Sequence, residues 1–311
     1  MGIIKGICIS KERGKQKTEV ENAYLKSDWG IEGDAHAGKW HRQVSLLSFE
    51  KIQEFKEKGA DISMGAFGEN LIVEGYDLRN IPVGSRFQIG EALLEITQIG
   101  KECHSHCEIF KVMGDCIMPR EGIFAKVIKD GDIQVGDEIA LLPENPDRPL
   151  TAAVITLSDK GAKGLRKDKS GPIIVEELKK EGYEIIESLI LPDELSLIKK
   201  NLIRLSDQRQ VNLIITTGGT GFSERDCTPE ATMAVATRNA PGIAEAIRAG
   251  SMAITRRAML SREASVIRNK TLIVNLPGSP KAVKESLGFI IDQLEHGIRI
   301  LTGRDSECAR K

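Results

Sequence analysis

A chain of 311 residues is long for a single hydrophobic core and predicts two domains. With 41% hydrophobic and 29% charged residues it has an ordinary globular composition, and a formal net charge of −1 gives no basis for nucleic acid as a partner. No run reaches the roughly eighteen apolar residues of a membrane span, and six cysteines are too few for a disulfide framework at this length, so a cytoplasmic protein without a membrane partner is expected.

Residues 2–10 alternate enough for a strand. Next comes a glycine-rich loop holding Gly30, Glu32, Gly33, Asp34, His36 and Gly38, with Lys39 and His41 close behind. Its histidines and carboxylates suit a metal or an anion, and equally a polar surface loop. Residues 45–58 place Leu46, Leu47, Phe49, Ile52 and Phe55 at helical spacing. Short β-patterned runs follow at 71–73, 86–89, 92–99 and 138–142, separated by glycine-containing turns. Many short strands with one or two helices predict a small, mostly-β barrel over residues 1–142. Within it, Lys101, Cys103, His104, His106 and Cys107, followed by Cys116, allow three readings. They are part of a zinc site, a thiolate whose pKa neighbouring cations lower, or cysteines buried as small hydrophobes.

Pro143, Pro146 and Pro149 mark residues 143–150 as a semi-rigid linker. Beyond it, over residues 151–311, strands and helices alternate. Strands are expected at 152–157, 185–191, 211–216 and 271–276, and helices at 171–181 and 194–205. Two or more helices fall within 229–257, and one long amphipathic helix spans 281–301. This alternation predicts a three-layer α/β/α domain with a mostly parallel sheet. Such sheets bind ligands at the C-terminal ends of their strands. Those ends carry Ser158 and Asp159, then Pro192 and Asp193, then residues 216–226, then Asn275, Pro277 and Gly278.

The third end is the most distinctive. Thr216, Thr217, Gly218, Gly219, Thr220 and Gly221 lead through Arg225 and Asp226 to a helix start at Thr228, Pro229 and Glu230. Glycines and small hydroxyl residues leave backbone N–H groups uncovered beside a helix N-terminus, which suits a phosphate. Arg225 adds a cation for the anion and Asp226 a carboxylate for a metal. No Gly-Lys-Ser/Thr follows, as a Walker A loop requires, and the dinucleotide spacing is absent. A tight structural turn is the plain alternative.

With these residues in place, residues 152–303 closely resemble the molybdopterin adenylyltransferase family, the MogA or MoaB type. The matching pieces are Ser158 and Asp159, residues 168–171, 192–194, 216–232, 241–242, 258–262 and 275–280. The resemblance implies transfer of AMP from ATP to the terminal phosphate of molybdopterin with release of pyrophosphate. It implies Asp193 and Asp226 as catalytic residues that hold Mg²⁺, and Ser261 beside the pterin. Thr217, Gly218, Gly219, Thr220 and Gly221 would meet the nucleotide phosphates, with Ser158, Asp159, Asn275, Pro277 and Gly278 completing the binding set. The family also implies a homotrimer. Residues 1–142 are similar to a MOSC domain through residues 30–38, 67–71, 77–84, 122–125 and 131–137. That resemblance implies a β-barrel whose cysteine carries sulfur or ligates the metal of a molybdenum cofactor. Cys107 is the residue placed there, with Cys103 and Cys116 as rivals. Two other functions remain open: a molybdopterin carrier without catalysis, and a MOSC-centred reductase of N-hydroxylated substrates.

Overall fold

The computed structural model describes residues 1–59, 62–102, 110 and 113–305 of the chain. It divides into two compact units, Met1–Asn145 and the residues from Pro146 onward.

The first unit is built on strands β1 (Gly2–Ile9), β5 (Val44–Ser48), β6 (Leu71–Glu74), β7 (Arg86–Ile89), β8 (Ala92–Ile99), β9 (Ile123–Lys129) and β11 (Glu138–Leu141). Hydrogen bonding runs β11-β7-β8-β9-β5-β6-β1, and β1 then pairs with β11, which closes the sheet into a barrel. Closure removes both free edges. Strand β2 (Thr18–Val20) pairs outside the ring on β1, and β3 (Asn22–Lys26), β4 (Gly30–Ile31) and β10 (Gly131–Gln134) form a separate small sheet. A bulge between Ile4 and Gly6 puts Ile4 and Ile7 into the same interior despite their odd spacing. Ile4, Ile7, Leu46, Leu71, Phe87, Leu94 and Ile139 are among the side chains that fill that interior.

The helical spacing of residues 45–58 misleads over its first turn. Residues 44–48 are β5, and the helix is Phe49–Glu57. Leu46 packs inside the barrel while Leu47 packs under the helix with Ile52 and Phe55. A strand buried on both faces therefore shows adjacent apolar residues that mimic a helix. Ser48 ends it as the N-cap, its hydroxyl accepting the Lys51 N–H.

The strands of the second unit are β12 (Thr151–Leu157), β13 (Glu184–Leu191), β14 (Leu213–Thr217), β15 (Arg238–Asn239), β16 (Ser265–Arg268) and β17 (Thr271–Leu276). They form a six-stranded sheet of order β13-β12-β14-β17-β16-β15. The four strands β13, β12, β14 and β17 are mutually parallel, and β16 and β15 add antiparallel at one edge. Period-two alternation splits the core. Val154, Ile215 and Val274 pack with helices Ser170–Lys180, Pro241–Ile254, Pro280–Gly288 and Ile291–Thr302, whereas Ile155, Ile214 and Ile273 pack with Leu195–Ile203 and Thr228–Ala234. Helices thus cover both faces.

The single long helix expected at 281–301 is instead two, Pro280–Gly288 and Ile291–Thr302. At the break the Phe289 ring lies against Gly250, where a side-chain carbon would come within 2.7 Å of it. Among the described residues, no helix is long and apolar enough to cross a membrane.

Candidate functional site

The parallel register aligns the strand ends. Leu157 is level with Leu191, Thr156 with Thr217, and Thr217 with Leu276. The segments after these residues therefore meet at one edge of the sheet.

Ser158 caps the short helix Asp159–Ala162, its hydroxyl accepting the Gly161 N–H. Asp159 and Asp193 clasp each other through their backbones: the Asp193 N–H donates to Asp159 Oδ1 at 3.2 Å, and the Asp159 N–H to Asp193 Oδ2 at 3.3 Å. The Arg225 guanidinium grips both Asp159 oxygens, at 2.8 and 3.1 Å. This hydrogen-bonded cation holds the Asp159 carboxyl below its ordinary range. Asp193 is shifted the other way. Burial pushes its carboxyl up, and the charges of Asp159 and Asp226 add to that.

The loop between β14 and the helix Thr228–Ala234 is shaped by its glycines. Gly218 has φ +97° and lies so close to β12 that a side-chain carbon would sit 2.5 Å from the Leu157 carbonyl oxygen. Gly219, at φ +64°, has no room for one either: the added carbon would collide with the Thr228 hydroxyl and stand 2.9 Å from Asp193 Oδ1. At Gly221 the added carbon would stand 2.8 Å from Asp226 Oδ2. The loop thus passes Asp193 at one glycine and Asp226 at the next. Asp226 Oδ2 accepts the Ser223 N–H at 3.0 Å. Between these anchors the backbone N–H groups of Gly219, Thr220, Gly221 and Phe222 have no hydrogen-bond partner among the described residues. Successive free N–H groups of this kind form a concavity for an anion.

The remaining predicted residues divide into two groups. Thr217 and Gly278 line a cleft of about 660 Å³ together with Thr156, Ser158, Arg166, Lys167, Lys169 and Ser170. Thr217 also donates to the Pro277 carbonyl at 2.6 Å, and Ser170 to the Gly278 carbonyl at 2.8 Å. Asn275, by contrast, is fully buried, and its amide is engaged by the Thr216 and Thr232 hydroxyls at 2.9 Å each and by the Ala264 N–H at 3.2 Å. It braces the sheet edge from within. Ser261 follows the 3₁₀ turn Arg256–Leu260, and the next N–H, that of Arg262, donates to the Thr220 carbonyl at 2.9 Å.

Several organising residues carried little sequence signal. Arg262 holds the glycine loop's far end through the Gly221 carbonyl at 2.7 Å, the Asp226 carbonyl at 2.6 Å and the Glu230 carboxylate. Thr228, expected from the sequence as the N-cap, is instead the first helical residue after Cys227, and its hydroxyl closes the loop by donating to the Gly218 carbonyl at 2.9 Å. Asp168 collects the Ser170 and Gly171 N–H groups and the Thr156 hydroxyl at 2.8–3.0 Å. All three fall in stretches that carry the family resemblance, but the contacts they make could not be read from it.

In the first unit, Asp34 is not a surface residue. Its carboxylate is fully buried and takes Lys17 Nζ at 2.7 Å on each oxygen, with Ser10 N–H at 3.0 Å and Asn70 Nδ2 at 3.2 Å. His36 Nδ1 lies 3.5 Å from Lys17 Nζ, while His41 Nε2 pairs with Gln98 Oε1 at 2.9 Å. Among the described residues, no group of three or more His, Cys, Asp or Glu side chains is placed to hold a metal. The candidates Cys103 and Cys107 lie outside the described residues. Cys116 is buried in an apolar cluster with Cys8, Phe55, Phe67 and Met118.

Known proteins match the two parts of the chain separately. A family model described as a "probable molybdopterin binding domain" matches residues 153–296, and the MOSC domain model matches residues 33–140. A molybdopterin adenylyltransferase of Helicobacter pylori is 40% identical over 160 residues, covering 51% of this chain and 91% of that protein. The molybdopterin adenylyltransferase of Escherichia coli K12 is 40% identical over 156 residues, covering 48% of this chain and 80% of its own length. The crystal structure of the molybdopterin biosynthesis enzyme MoaB from Thermus thermophilus is 41% identical, covering 50% of this chain and 97% of that one, with a TM-score of 0.48.

Proposed function

The chain belongs to the molybdopterin adenylyltransferase family through its second unit and carries a MOSC domain in its first; from that premise we propose that it transfers AMP from ATP to the terminal phosphate of molybdopterin. The observation that carries the proposal is the glycine loop whose free N–H groups lie between Asp193 and Asp226. In the reaction a phosphate oxygen of molybdopterin bonds to the α-phosphorus of ATP. The bond from that phosphorus to the bridging oxygen breaks, and pyrophosphate leaves with the electron pair. No proton need move, so the protein's task is to position both phosphates and to stabilise charge.

The residues suit Mg²⁺ as the counter-ion. Mg²⁺ prefers carboxylate and phosphate oxygens and takes one or two protein carboxylates. Asp193 is destabilised as an anion by burial and by two neighbouring carboxylates, a state that a dication relieves. Asp226 and Asp193 would hold the ion through the oxygens not engaged by backbone N–H groups. When bound, Mg²⁺ neutralises the phosphate oxygens. Asp159 is occupied by Arg225 and by the Asp193 backbone, so it positions Asp193 and Arg225 and does not bind the ion. The loop N–H groups would receive phosphate oxygens, and Ser261, next to the loop-bonded Arg262, would lie beside the pterin, as the family resemblance implies.

For the barrel we keep the handling of sulfur or molybdenum cofactor through a cysteine. The burial of Cys116 and Cys8, the latter with its thiol pushed by desolvation up to about 12, favours Cys107 or Cys103 as the reactive residue. The trimer implied by the family resemblance is kept as the expected assembly of the second unit, and exposed Met252, Ile254, Met259 and Leu260 are apolar surface available to it. The deciding experiment incubates the full chain with molybdopterin, ATP and Mg²⁺ and assays adenylylated pterin and pyrophosphate. Binding of both substrates without either product would leave a carrier and overturn the catalytic reading.

A further inference from the structure

The cleft of about 660 Å³ beside the glycine loop has a charge that the two aspartates do not explain. Neither Asp193 nor Asp226 lines it. Its charged lining is Arg166, Lys167, Lys169 and Asp168. Asp168 is already engaged: Oδ1 accepts the Ser170 and Gly171 N–H groups at 2.9 and 3.0 Å, and Oδ2 the Thr156 hydroxyl at 2.8 Å. Arg166, Lys167 and Lys169 form no ion pair among the described residues and are exposed. They belong to a run, residues 160–169, with five cations and Asp168 as its one carboxylate.

The run is fixed at both ends and free in the middle. At its start, Ser158 holds the Gly161 N–H at 3.0 Å, and the Lys160 carbonyl receives the Leu165 N–H at 2.8 Å. At its end, Asp168 is tied to β12 through Thr156, and Gly171 is crowded by both side chains so that no larger residue fits. The intervening cations are therefore delivered to the cleft on a strap with rigid posts. Unpaired like charges this close repel one another and remain only because water screens them, so a ligand with several negative charges is the one that gains most.

We propose that Arg166, Lys167 and Lys169 form a receptor for a polyphosphate chain, taking the β- and γ-phosphates of ATP and then the pyrophosphate leaving group. The proposal rests on the adenylyl-transfer reading above. A single terminal phosphate can be received by the unpaired loop N–H groups, while Arg225 is held by Asp159. Three further cations match the roughly three to four charges of pyrophosphate. Their place in the cleft, apart from the aspartates, separates the α-phosphorus, where bonds change, from the chain that departs. Cations there stabilise the charge that grows on the leaving oxygen as the α-phosphorus bond to it breaks.

The test uses the full chain and inorganic probes. Calorimetric titration with tripolyphosphate and with orthophosphate is compared for wild type, Arg166→Gln/Lys167→Gln and the charge-retaining Arg166→Lys/Lys167→Arg. Tripolyphosphate should bind wild type more tightly than orthophosphate, weaken steeply with NaCl, lose about tenfold or more in the neutral variant and be retained in the charged one. In AMP transfer the neutral variant should raise KM for ATP and leave KM for molybdopterin unchanged. Equal tripolyphosphate affinity in wild type and neutral variant overturns the proposal. So does a raised KM for molybdopterin alone, which would place the pterin's phosphate in the cleft. If wild type transfers no AMP yet the titrations behave as described, the activity reading fails and the polyphosphate site stands.

Discussion

Replacing Asp34 by Asn should cripple the barrel although no expected catalytic residue is touched. The carboxylate is fully buried and faces Lys17, whose side chain is 1% exposed, with both oxygens 2.7 Å from Nζ. Asn keeps one acceptor, turns an NH₂ toward a ring of donors and strands the ammonium without a counter-charge. Breaking one partner of such a pair costs about 3–5 kcal/mol. With a urea dependence of about 2 kcal/mol per molar, the unfolding midpoint should fall by about 2 M. The chain's two tryptophans, Trp29 and Trp40, both lie in this unit, so their fluorescence reads barrel unfolding within the intact protein. A pH signature separates this cause from a packing defect. Burial already lowers the Lys17 pKa, against the Asp34 hydrogen bond that raises it. With Asp34 gone the depression deepens, and the folded state binds fewer protons than the unfolded one between the two Lys17 values. Stability of the variant should then climb as pH rises toward the ordinary lysine value of 10.5. Adding Lys17→Met should recover part of the loss. A midpoint within about 0.5 M of wild type and flat with pH would refute the reasoning.

Other expectations follow from the same structure. Asp226→Asn should lower AMP transfer by about 10²-fold or more with much less effect on molybdopterin affinity, and Asp193→Asn should behave alike; an unchanged kcat in folded protein removes the role. Glu69 is fully buried, and desolvation pushes its carboxyl up to about 7. The folded state therefore holds a proton that the unfolded state has released between about pH 4.5 and 7, and this group's contribution should fall by about 3 kcal/mol across that window, seen as a falling tryptophan-detected midpoint absent in Glu69→Gln. Graded alkylation at neutral pH should label Cys107 before Cys8, Cys103 or Cys116, and mass mapping that finds Cys116 first would move the barrel's reactive thiol there. Gly219→Ala should destabilise the second unit by about 2–4 kcal/mol, from strain at positive φ and the lost Thr228 bond, and an unchanged far-ultraviolet melt would show that the loop yields.

The two-unit organisation and the sheet edge were legible because they rest on local chemistry. β-branched runs ending in Ser-Asp, Pro-Asp or Gly-Gly announce strand ends without any knowledge of their neighbours, and parallel pairing does the rest. What failed was local pattern under tertiary override. Leu46 and Leu47 looked helical because a barrel strand with a helix on its outside is buried on both faces. Residues 281–301 kept a continuous helical pattern across a break at Phe289 and Ile290, the first of which packs on Gly250 from another helix. The Lys17–Asp34 pair was invisible for a different reason. Its partners are 17 residues apart in loops, and no periodicity links them.

Asp159 shows how far residue type alone carries a site. By sequence it is one more carboxylate at a strand end, assigned with Ser158 to the binding set while the family resemblance gives the metal to Asp193 and Asp226. Geometry separates them: a bidentate arginine holds one below its ordinary pKa range, while burial and two like charges push the other up. The carboxylate with a cation already has little to gain from a second, whereas the one without is where a cation gains most. The same logic applies to the strap, where three cations form no ion pair among the described residues and the one carboxylate beside them, Asp168, is engaged by backbone N–H groups and the Thr156 hydroxyl. Placed at one sheet edge, a carboxylate raised by burial at Asp193, only partly offset by Arg225 and the Asp159 N–H, and an excess of positive charge at residues 166–169 are complementary to a metal-bound phosphate chain.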